Sequence, residues 1–481
     1  MVSLIVYFLL KGTPTELILR GSLLLLPLSG AQPLPSAQGA TVTTNGDGAS
    51  YLPVVAEAAG RRQERENAVI RMVYVLITCA SLIQAGDYAA AAGNLAEVRS
   101  ALATTVLTAT GIGRVMNHLA AALAQRLFLA SPVHSGTALD AASSAEHAGE
   151  LYRQFYEAGP YLKFAHFTAS QAILEAFGGC DRVHIIDLAI MQGVQWPALI
   201  RTLSLRPGGP PALRITGVGP APAADGSRDE LHEVGVRLAE VARAVNVPFS
   251  FRGVSVDTLE ALQPWMFQIV PGEALAVNSI CQLHRLLVDR DAASTSPIDT
   301  VLGWVAAMQP MMFTVVEQET DHNQPTLVER FINALFYYGA VFDSMGALSS
   351  TGGLVAEAYL KREIFDILSG EGGGRAEHHE PLYRWCARLW RAGMCQVPLG
   401  ASATQQAAAL LNASSGAGYR VQERCGSLTL AWHDWPLFTT SVWRTAPAAN
   451  ATVDGIVDER VDNNKSSSGH QQAATGEIAM Q

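Results

Sequence analysis

Residues 183–197 read VHIIDLAIMQGVQWP, and this stretch decides the fold. It opens with a short apolar run, Val183–Leu188, which is bounded by charged residues and turn signals and therefore predicts a buried β-strand. A loop containing Gly193 follows, and the pattern around Trp196–Leu203 predicts an α-helix. A buried strand that leads through a loop into a helix is the repeating unit of a parallel sheet covered by helices.

The same unit recurs downstream and ends differently. Further strands are predicted at Leu213–Val218, Phe249–Phe251, Leu275–Asn278 and Met312–Val316, with helices over residues 231–245 and 326–342. Near the end, a turn at Cys425-Gly426 joins two alternating segments, Tyr419–Glu423 and Leu428–Trp432, which predict a hairpin. We therefore expect an α/β fold, namely a Rossmann-like, methyltransferase-type parallel sheet with a carboxy-terminal antiparallel hairpin.

Upstream of this body the pattern is helical. Val69, Leu76 and Ile83 lie seven residues apart on one apolar face, and further helical stripes follow as far as Leu127. We expect one domain over residues 67–446, with a helical cap subdomain at 67–130 and a Rossmann-like body at 150–446. Residues 1–66 and 447–481 lack a hydrophobic period and are expected to be a low-complexity lead-in and a disordered tail.

Charge and cysteine usage exclude several classes of function. The chain carries 33 Lys and Arg against 43 Asp and Glu, a formal net charge of −10, whereas a protein that reads DNA directly needs clustered basic residues. The six cysteines form no CxxC and no zinc-ligand spacing, which excludes a disulfide scaffold and favours a reducing compartment.

The amino terminus is apolar and allows more than one interpretation. The runs at residues 3–10 and 17–28 resemble a signal peptide, but the basic start is missing and Lys11 and Arg20 interrupt them. Neither run is long enough to span a bilayer, so no membrane contact is expected. An unstructured or misassigned start is favoured, with secretion as the open alternative.

The sequence of the loop after the first strand indicates whether a cofactor could bind there. Asp187 followed by a loop is where a nucleotide-type ligand would bind, but that chemistry needs several glycines, and only Gly193 is present. Ile190 and Met191 would fill the space. We therefore expect a structural Rossmann scaffold without a cofactor. A methyltransferase-like enzyme and a small-molecule-binding module at the same edge are the alternatives.

Two polar clusters follow later strands. Glu317, Glu319, Asp321 and His322 could bind a metal or act as acid and base, but a solvated strand-end loop explains them equally well. His378 and the adjacent His379 are interpreted as exposed surface. Because no nucleophile motif accompanies them, no catalytic and no metal-binding residue is predicted.

Leucines on helical stripes are candidates for contacts with partner proteins. The segment 283–287 (LHRLL) could dock in a partner's groove if it were helical, although packing on its own sheet explains it as well. The candidate partner-binding residues are Val69, Leu76, Ile83, Leu231, Leu238, Leu283, Leu286 and Leu287.

Several of these strings together resemble the GRAS family of plant regulators. Its central signature is intact at residues 183–187, the string 192–197 follows as the family expects, and the stripes at 69–127 and 231–245 correspond to its two leucine-rich regions. The matched signature residues are Val183, His184, Ile185, Ile186, Asp187, Gln195, Trp196, Pro310, Phe336, Tyr337, Arg362, Glu363, Trp432, Ser441 and Trp443. Val442 stands where the family usually has Ala.

Within the family, residues 161–169 (YLKFAHFTA) and 205–211 (LRPGGPP) resemble the DELLA subgroup and the SLENDER-like proteins of grasses. The resemblance implies a nuclear repressor in gibberellin signalling that binds DNA-binding transcription factors and can dimerise with itself or with other GRAS proteins. DELLA proteins bind the hormone-loaded receptor through an amino-terminal segment, and residues 1–66 contain neither of its motifs. No receptor binding, no hormone-triggered degradation, no direct DNA reading and no enzymatic activity are therefore expected.

Overall fold

The computed structural model describes residues 52–104, 110–130, 148–221, 229–289, 296–347, 353–413 and 418–445. Residues 1–51 of the predicted lead-in and the predicted tail at 447–481 lie outside these described residues. Within them the chain has the predicted α/β fold, with a parallel sheet, an antiparallel carboxy-terminal end and helices that precede both.

The helices before the sheet form the cap. They are α1 (Leu52–Ala85), α2 (Tyr88–Thr104), α3 (Gly111–Leu129) and α4 (Ala148–Ala158). α1 begins at Leu52 rather than near residue 67, because residues 52–66 are rich in Ala, Glu, Arg and Gln, which favour helix without an apolar stripe. Its segment Glu66–Ala85 is long and apolar enough to cross a membrane by length and composition alone, a weak signal. That segment's apolar face, including Leu76 and Ala80, is buried in the protein's core.

The parallel part of the sheet carries the layers of helices. Its strands are β1 (Arg182–Asp187), β2 (Ala212–Gly219), β3 (Phe249–Ser255), β4 (Ala274–Ile280) and β5 (Met312–Gln318), in the order β3-β2-β1-β4-β5. α5 (Pro160–Ala176) precedes β1, and the helices that follow strands are α6 (Trp196–Ser204), α7 (Glu230–Ala244) and α8 (Pro297–Ala307). Val183 and Ile185 point toward α6 and α7, whereas Ile186 points to the α8 face, as the alternation of a strand requires.

The antiparallel end completes the sheet. After α9 (Leu327–Gly346), α10 (Gly353–Ser369) and α11 (Leu382–Arg391) come β6 (Met394–Gln396), α12 (Ala401–Ala413), β7 (Tyr419–Arg424), β8 (Ser427–Trp432) and β9 (Trp435–Thr445). β7 and β8 form the predicted hairpin. β9 was not predicted as a strand, yet it runs antiparallel to β5 and joins it to β8. This insertion of a late antiparallel strand beside β5 is the methyltransferase-type arrangement.

Candidate functional site

The switch point of the sheet lies between β1 and β4, where the strand order reverses. Open α/β sheets bind ligands at this position. β1 ends in Asp187, and its register partner on β4 is Asn278. Both side chains are buried, with 3% and 1% of their surface exposed. The structure thus brings the predicted Asp187 together with an amide that the sequence marked only as the end of a strand.

Three N–H groups of the chain donate to the Asp187 carboxylate. The indole Nε1–H of Trp196, at the start of α6, donates to Oδ2 at 2.9 Å. The backbone N–H of Ala189 and the side-chain amide of Asn278 donate to Oδ1 at 3.2 and 3.4 Å. The Asn278 amide also donates to Gln195 Oε1 at 3.1 Å. The polar groups that face the switch point are therefore bonded to one another.

The loop after β1 fills the space that a nucleotide would need. Ile190 covers Gly217 so closely that a Cβ on Gly217 would lie 2.5 Å from Ile190 Cδ1. Gly193, with a φ of 66°, turns the loop back and donates its N–H to Ile190 O at 2.7 Å. The cavity beside Asp187 measures about 10 Å³, enough for about one water, whereas small-molecule pockets measure about 300–1,000 Å³. The cofactor position is closed by the chain itself.

Burial controls the protonation of the two buried polar residues on β1, Asp187 and His184. It raises the pKa of Asp187 to about 6, although the three hydrogen bonds oppose this shift. Burial, followed by the charge of Arg214, lowers the pKa of His184 to about 3. The His184 ring is therefore neutral: its Nδ1 accepts from Arg214 Nη2 at 3.0 Å, and its Nε2–H donates to Thr216 Oγ1 at 2.8 Å.

Comparison with known proteins identifies the family of the whole chain. The sequence profile of the GRAS domain family matches residues 72–444. The chain belongs to the GRAS family. It is 55% identical over 407 residues to Protein SLENDER RICE1-LIKE 2 of Oryza sativa subsp. japonica, covering 82% of this chain and 80% of the relative. SLENDER RICE1-LIKE 1 of the same rice is 56% identical over 406 residues, covering 83% and 80%.

DELLA proteins are related at lower identity. The DELLA protein SLR1 of Oryza sativa subsp. japonica is 43% identical over 409 residues, which cover 80% of this chain but 63% of the DELLA protein. Among solved structures, the crystal structure of SCL7 in Oryza sativa is 33% identical, with a TM-score of 0.64 over 78% of this chain and 99% of SCL7. The predicted family and the predicted fold class are both confirmed.

In this GRAS protein the signature residues lie mainly inside the fold. Those of β1 form the buried strand and its polar contacts, and Trp196 and Gln195 close the switch point. Later in the chain, Glu363 of α10 accepts from Gln318 Nε2 at 3.1 Å and from the Tyr338 hydroxyl at 2.9 Å. The Tyr337 hydroxyl donates to Leu437 O at 3.0 Å.

The remaining signature residues tie the last strands to the body. Trp443 Nε1–H donates to Ser441 Oγ at 2.9 Å within β9, and Trp432 Nε1–H donates to Asp343 of α9 at 2.9 Å. Pro310 is buried and Phe336 packs against Trp435, whereas Arg362 is exposed.

A second polar group lies beyond the ends of β4 and β5, and here the sequence interpretation is wrong. His378 and His379, predicted as exposed surface, are 2% and 1% exposed. Glu317 and His322, for which a solvated strand-end loop was one interpretation, are 4% and 0% exposed. The segment before α11 crosses the carboxyl end of the sheet, and His379 O accepts from the backbone N–H groups of His322 and Asn323 at 3.0 and 3.2 Å.

His284 lies at the centre of this buried group. Its Nδ1 is 2.7 Å from Glu317 Oε2, and its Nε2 is 2.7 Å from Glu377 Oε2. Arg285 Nη2 donates to Glu377 Oε1 at 2.6 Å. Burial disfavours a charge on His284, but the two carboxylates outweigh it and raise its pKa to about 10. Charge pairing explains why so many polar side chains are tolerated away from water.

The apolar residues predicted to contact partner proteins are buried in this structure. The segment Leu283–Leu286 is a short 3₁₀ turn rather than an α-helix. All eight candidate side chains are 6% exposed or less, and they belong to the core: Val69, Leu76, Ile83, Leu231, Leu238, Leu283, Leu286 and Leu287. The helical spacing of these residues serves core packing. Exposed aromatic residues, such as Trp265, Tyr383 and Trp390 at 72%, 65% and 58%, were not singled out by the sequence because nothing local distinguishes them from core residues.

Proposed function

We propose that this GRAS protein is a nuclear transcriptional co-regulator that represses gibberellin responses by binding DNA-binding transcription factors. The observation that carries the proposal is the closed switch point. Where enzymes of this topology hold a cofactor, Ile190 and the Asp187–Trp196 pair occupy the space. Such a body acts through its surface. The relationship to SLENDER RICE1-LIKE and DELLA proteins supports the regulatory part.

The net charge of the chain favours DNA recognition through a DNA-binding partner over direct contact with DNA. The formal net charge of −10 disfavours a surface that neutralises many phosphates. Sequence specificity then comes from the DNA-binding partner, and the GRAS protein changes the transcriptional outcome at the promoter.

We place the main partner contact on the helical cap, the predicted leucine-rich region. The outer side of the cap exposes apolar residues, with Tyr88, Phe128 and Leu129 at 43%, 43% and 52%. Tyr88 and Leu129 line a groove of about 700 Å³ whose other walls include Arg126 and Arg330. Aromatic residues and arginines are enriched among residues that dominate binding energy in protein interfaces.

A tethered reporter tests repression directly. The full chain is fused to a heterologous DNA-binding domain and expressed in plant protoplasts with a reporter carrying the matching sites. Reporter output should fall relative to the DNA-binding domain alone. Because the fused domain replaces the DNA-binding partner, the double variant Tyr88→Asp, Leu129→Asp should still repress in this assay. Without the fusion, at a gibberellin-responsive promoter, the double variant should lose repression, whereas Leu205→Asp, at an 81% exposed site on the sheet body, should keep it. Unchanged or increased output from the native chain contradicts repression.

A pull-down tests independence from the hormone. Residues 1–66 lack the two motifs through which DELLA proteins bind the hormone-loaded receptor. We therefore expect that the gibberellin receptor does not retain the chain, with or without hormone. Its abundance in treated protoplasts should stay constant. Hormone-dependent retention would refute this part of the proposal and leave the reporter result standing.

A further inference from the structure

We propose that His284, Glu377 and His379 form a binding site for a divalent transition metal, and that zinc is the ion the site fits best. The three side chains are buried and come from two segments, the turn after β4 and the strap of residues 375–380 that leads into α11. The three residues line neither the cavity at the switch point nor the groove of the cap.

The three donor atoms lie close together. One donor atom from each side chain lies within 4.8 Å of the other two. Glu377 Oε2 is 2.7 Å from His284 Nε2 and 3.4 Å from His379 Nε2. Donors around a tetrahedral zinc with bonds of about 2.0–2.1 Å are about 3.3 Å apart. The His379–Glu377 pair already has this spacing, and the His284–Glu377 pair needs to open by about half an ångström.

The atoms that would not bind the metal are already held by neighbours. His284 Nδ1 is 2.7 Å from Glu317 Oε2, and His379 Nδ1 is 3.1 Å from His322 Nδ1. The second oxygen of Glu377 accepts from Arg285 at 2.6 Å. Metal-binding histidines are oriented in this way, because the other ring nitrogen is engaged by a carboxylate or another polar group that fixes the ring.

One of the three donor atoms lacks a hydrogen-bond partner among the described residues. His379 Nε2 has no hydrogen-bond partner among the described residues, although the ring is 1% exposed. In the metal-free arrangement a protonated His284 bridges Glu317 and Glu377, and His379 Nε2 faces Glu377 Oε2 at 3.4 Å without a hydrogen bond. A bound metal would take the place of the proton on His284 Nε2. A cation between His379 Nε2 and Glu377 Oε2 satisfies both atoms.

The donor set selects the ion. Two imidazole nitrogens and one carboxylate oxygen suit zinc and its neighbours in the first transition row, whereas magnesium and calcium prefer oxygen ligands throughout. Three donors from the chain leave the fourth position of a zinc ion for water. Because its donors come from the turn after β4 and from the strap, the ion would fasten the strap across the carboxyl end of the sheet.

Metal content of the full chain tests the site. The untagged protein is expressed in zinc-supplemented medium, desalted, and measured by inductively coupled plasma mass spectrometry; a parallel preparation from cobalt-supplemented medium is examined by visible absorption. We expect one equivalent of zinc, and for cobalt the d–d bands of a nitrogen- and oxygen-bound site of low coordination number. Absence of both a stoichiometric ion and the cobalt bands overturns the proposal.

Variants show whether these residues hold the ion. His379→Gln should lose the zinc and the cobalt bands. Glu317→Gln changes the group that orients His284 and keeps an oxygen for the backbone N–H groups of Gln282 and Leu283; it should weaken zinc affinity by about 10- to 100-fold. The control His232→Gln, at an exposed histidine on α7, should keep the full content. If His379→Gln does not fold, the affinity of Glu317→Gln decides. Native affinity in Glu317→Gln, or native content in a folded His379→Gln, overturns the assignment.

Discussion

The bond between Trp196 and Asp187 holds the loop over the switch point, and its removal has a calculable effect. In Trp196→Phe the buried carboxylate loses its indole donor at 2.9 Å. A hydrogen bond to a charged group contributes about 1.5–3 kcal/mol to stability. The variant also loses ring volume, so the bond must be separated from the packing.

Trp385 provides the matched control. It is as deeply buried, at 2% exposed, but its Nε1 has no hydrogen-bond partner among the described residues. Trp385→Phe therefore removes the same atoms without breaking such a bond. We expect Trp196→Phe to lower the free energy of unfolding by about 1.5–3 kcal/mol more than Trp385→Phe at neutral to basic pH.

The pH dependence follows from the pKa of Asp187, about 6 in the folded protein. The indole donor lowers this pKa, so Trp196→Phe should raise it. The donor's contribution is therefore complete only above the raised pKa of the variant, and it is lost as pH falls to about 6. The difference between the two variants, measured by urea unfolding followed with circular dichroism, should be larger at about pH 8 than at about pH 5. Equal losses for the two variants at about pH 8, or a difference that does not change with pH, would refute the reasoning.

Three further predictions concern the closed switch point and the packing of buried side chains. S-adenosylmethionine should give no heat of binding in calorimetry with the full chain, because Ile190 fills the cofactor position; micromolar affinity would revive the enzyme alternative. Gly217→Ala should lower stability by about 1–3 kcal/mol in urea unfolding, because the added methyl group overlaps Ile190; an unchanged midpoint would show that the loop is looser than described. Tyr161→Phe removes a buried hydroxyl 2.6 Å from Ser344 Oγ and should cost about 1–3 kcal/mol, whereas Tyr383→Phe, at a 65% exposed site, should unfold at the native urea concentration.

The parallel sheet was predictable because its signals are local. Each strand is a short apolar run, and β1 and α6 are adjacent in sequence, so Asp187 could be placed at the switch point without any knowledge of its neighbours. The covering of Gly217 by Ile190 was predictable too, since a single glycine stands where several would be needed.

The features that were missed depend on partners far away in sequence. β9 carries Thr439, Thr440 and Ser441, which interrupt an apolar pattern and become strand residues only beside β5. His379 is polar in sequence, and its burial depends on His284 and His322, which contact it from other segments. Leucine stripes have the same spacing whether they face a partner or the protein's own core, so their burial could not be decided from sequence.

The central claim is that the chain acts on transcription through a DNA-binding partner rather than through DNA or chemistry of its own. Chromatin immunoprecipitation from plant nuclei identifies the promoters it occupies, and the same promoter fragments are then offered to the purified chain at physiological salt. We predict promoter enrichment in chromatin, no mobility shift with the purified chain alone, and a shift when nuclear extract is added. A shift by the purified chain alone, or no enrichment at any promoter, would contradict the account.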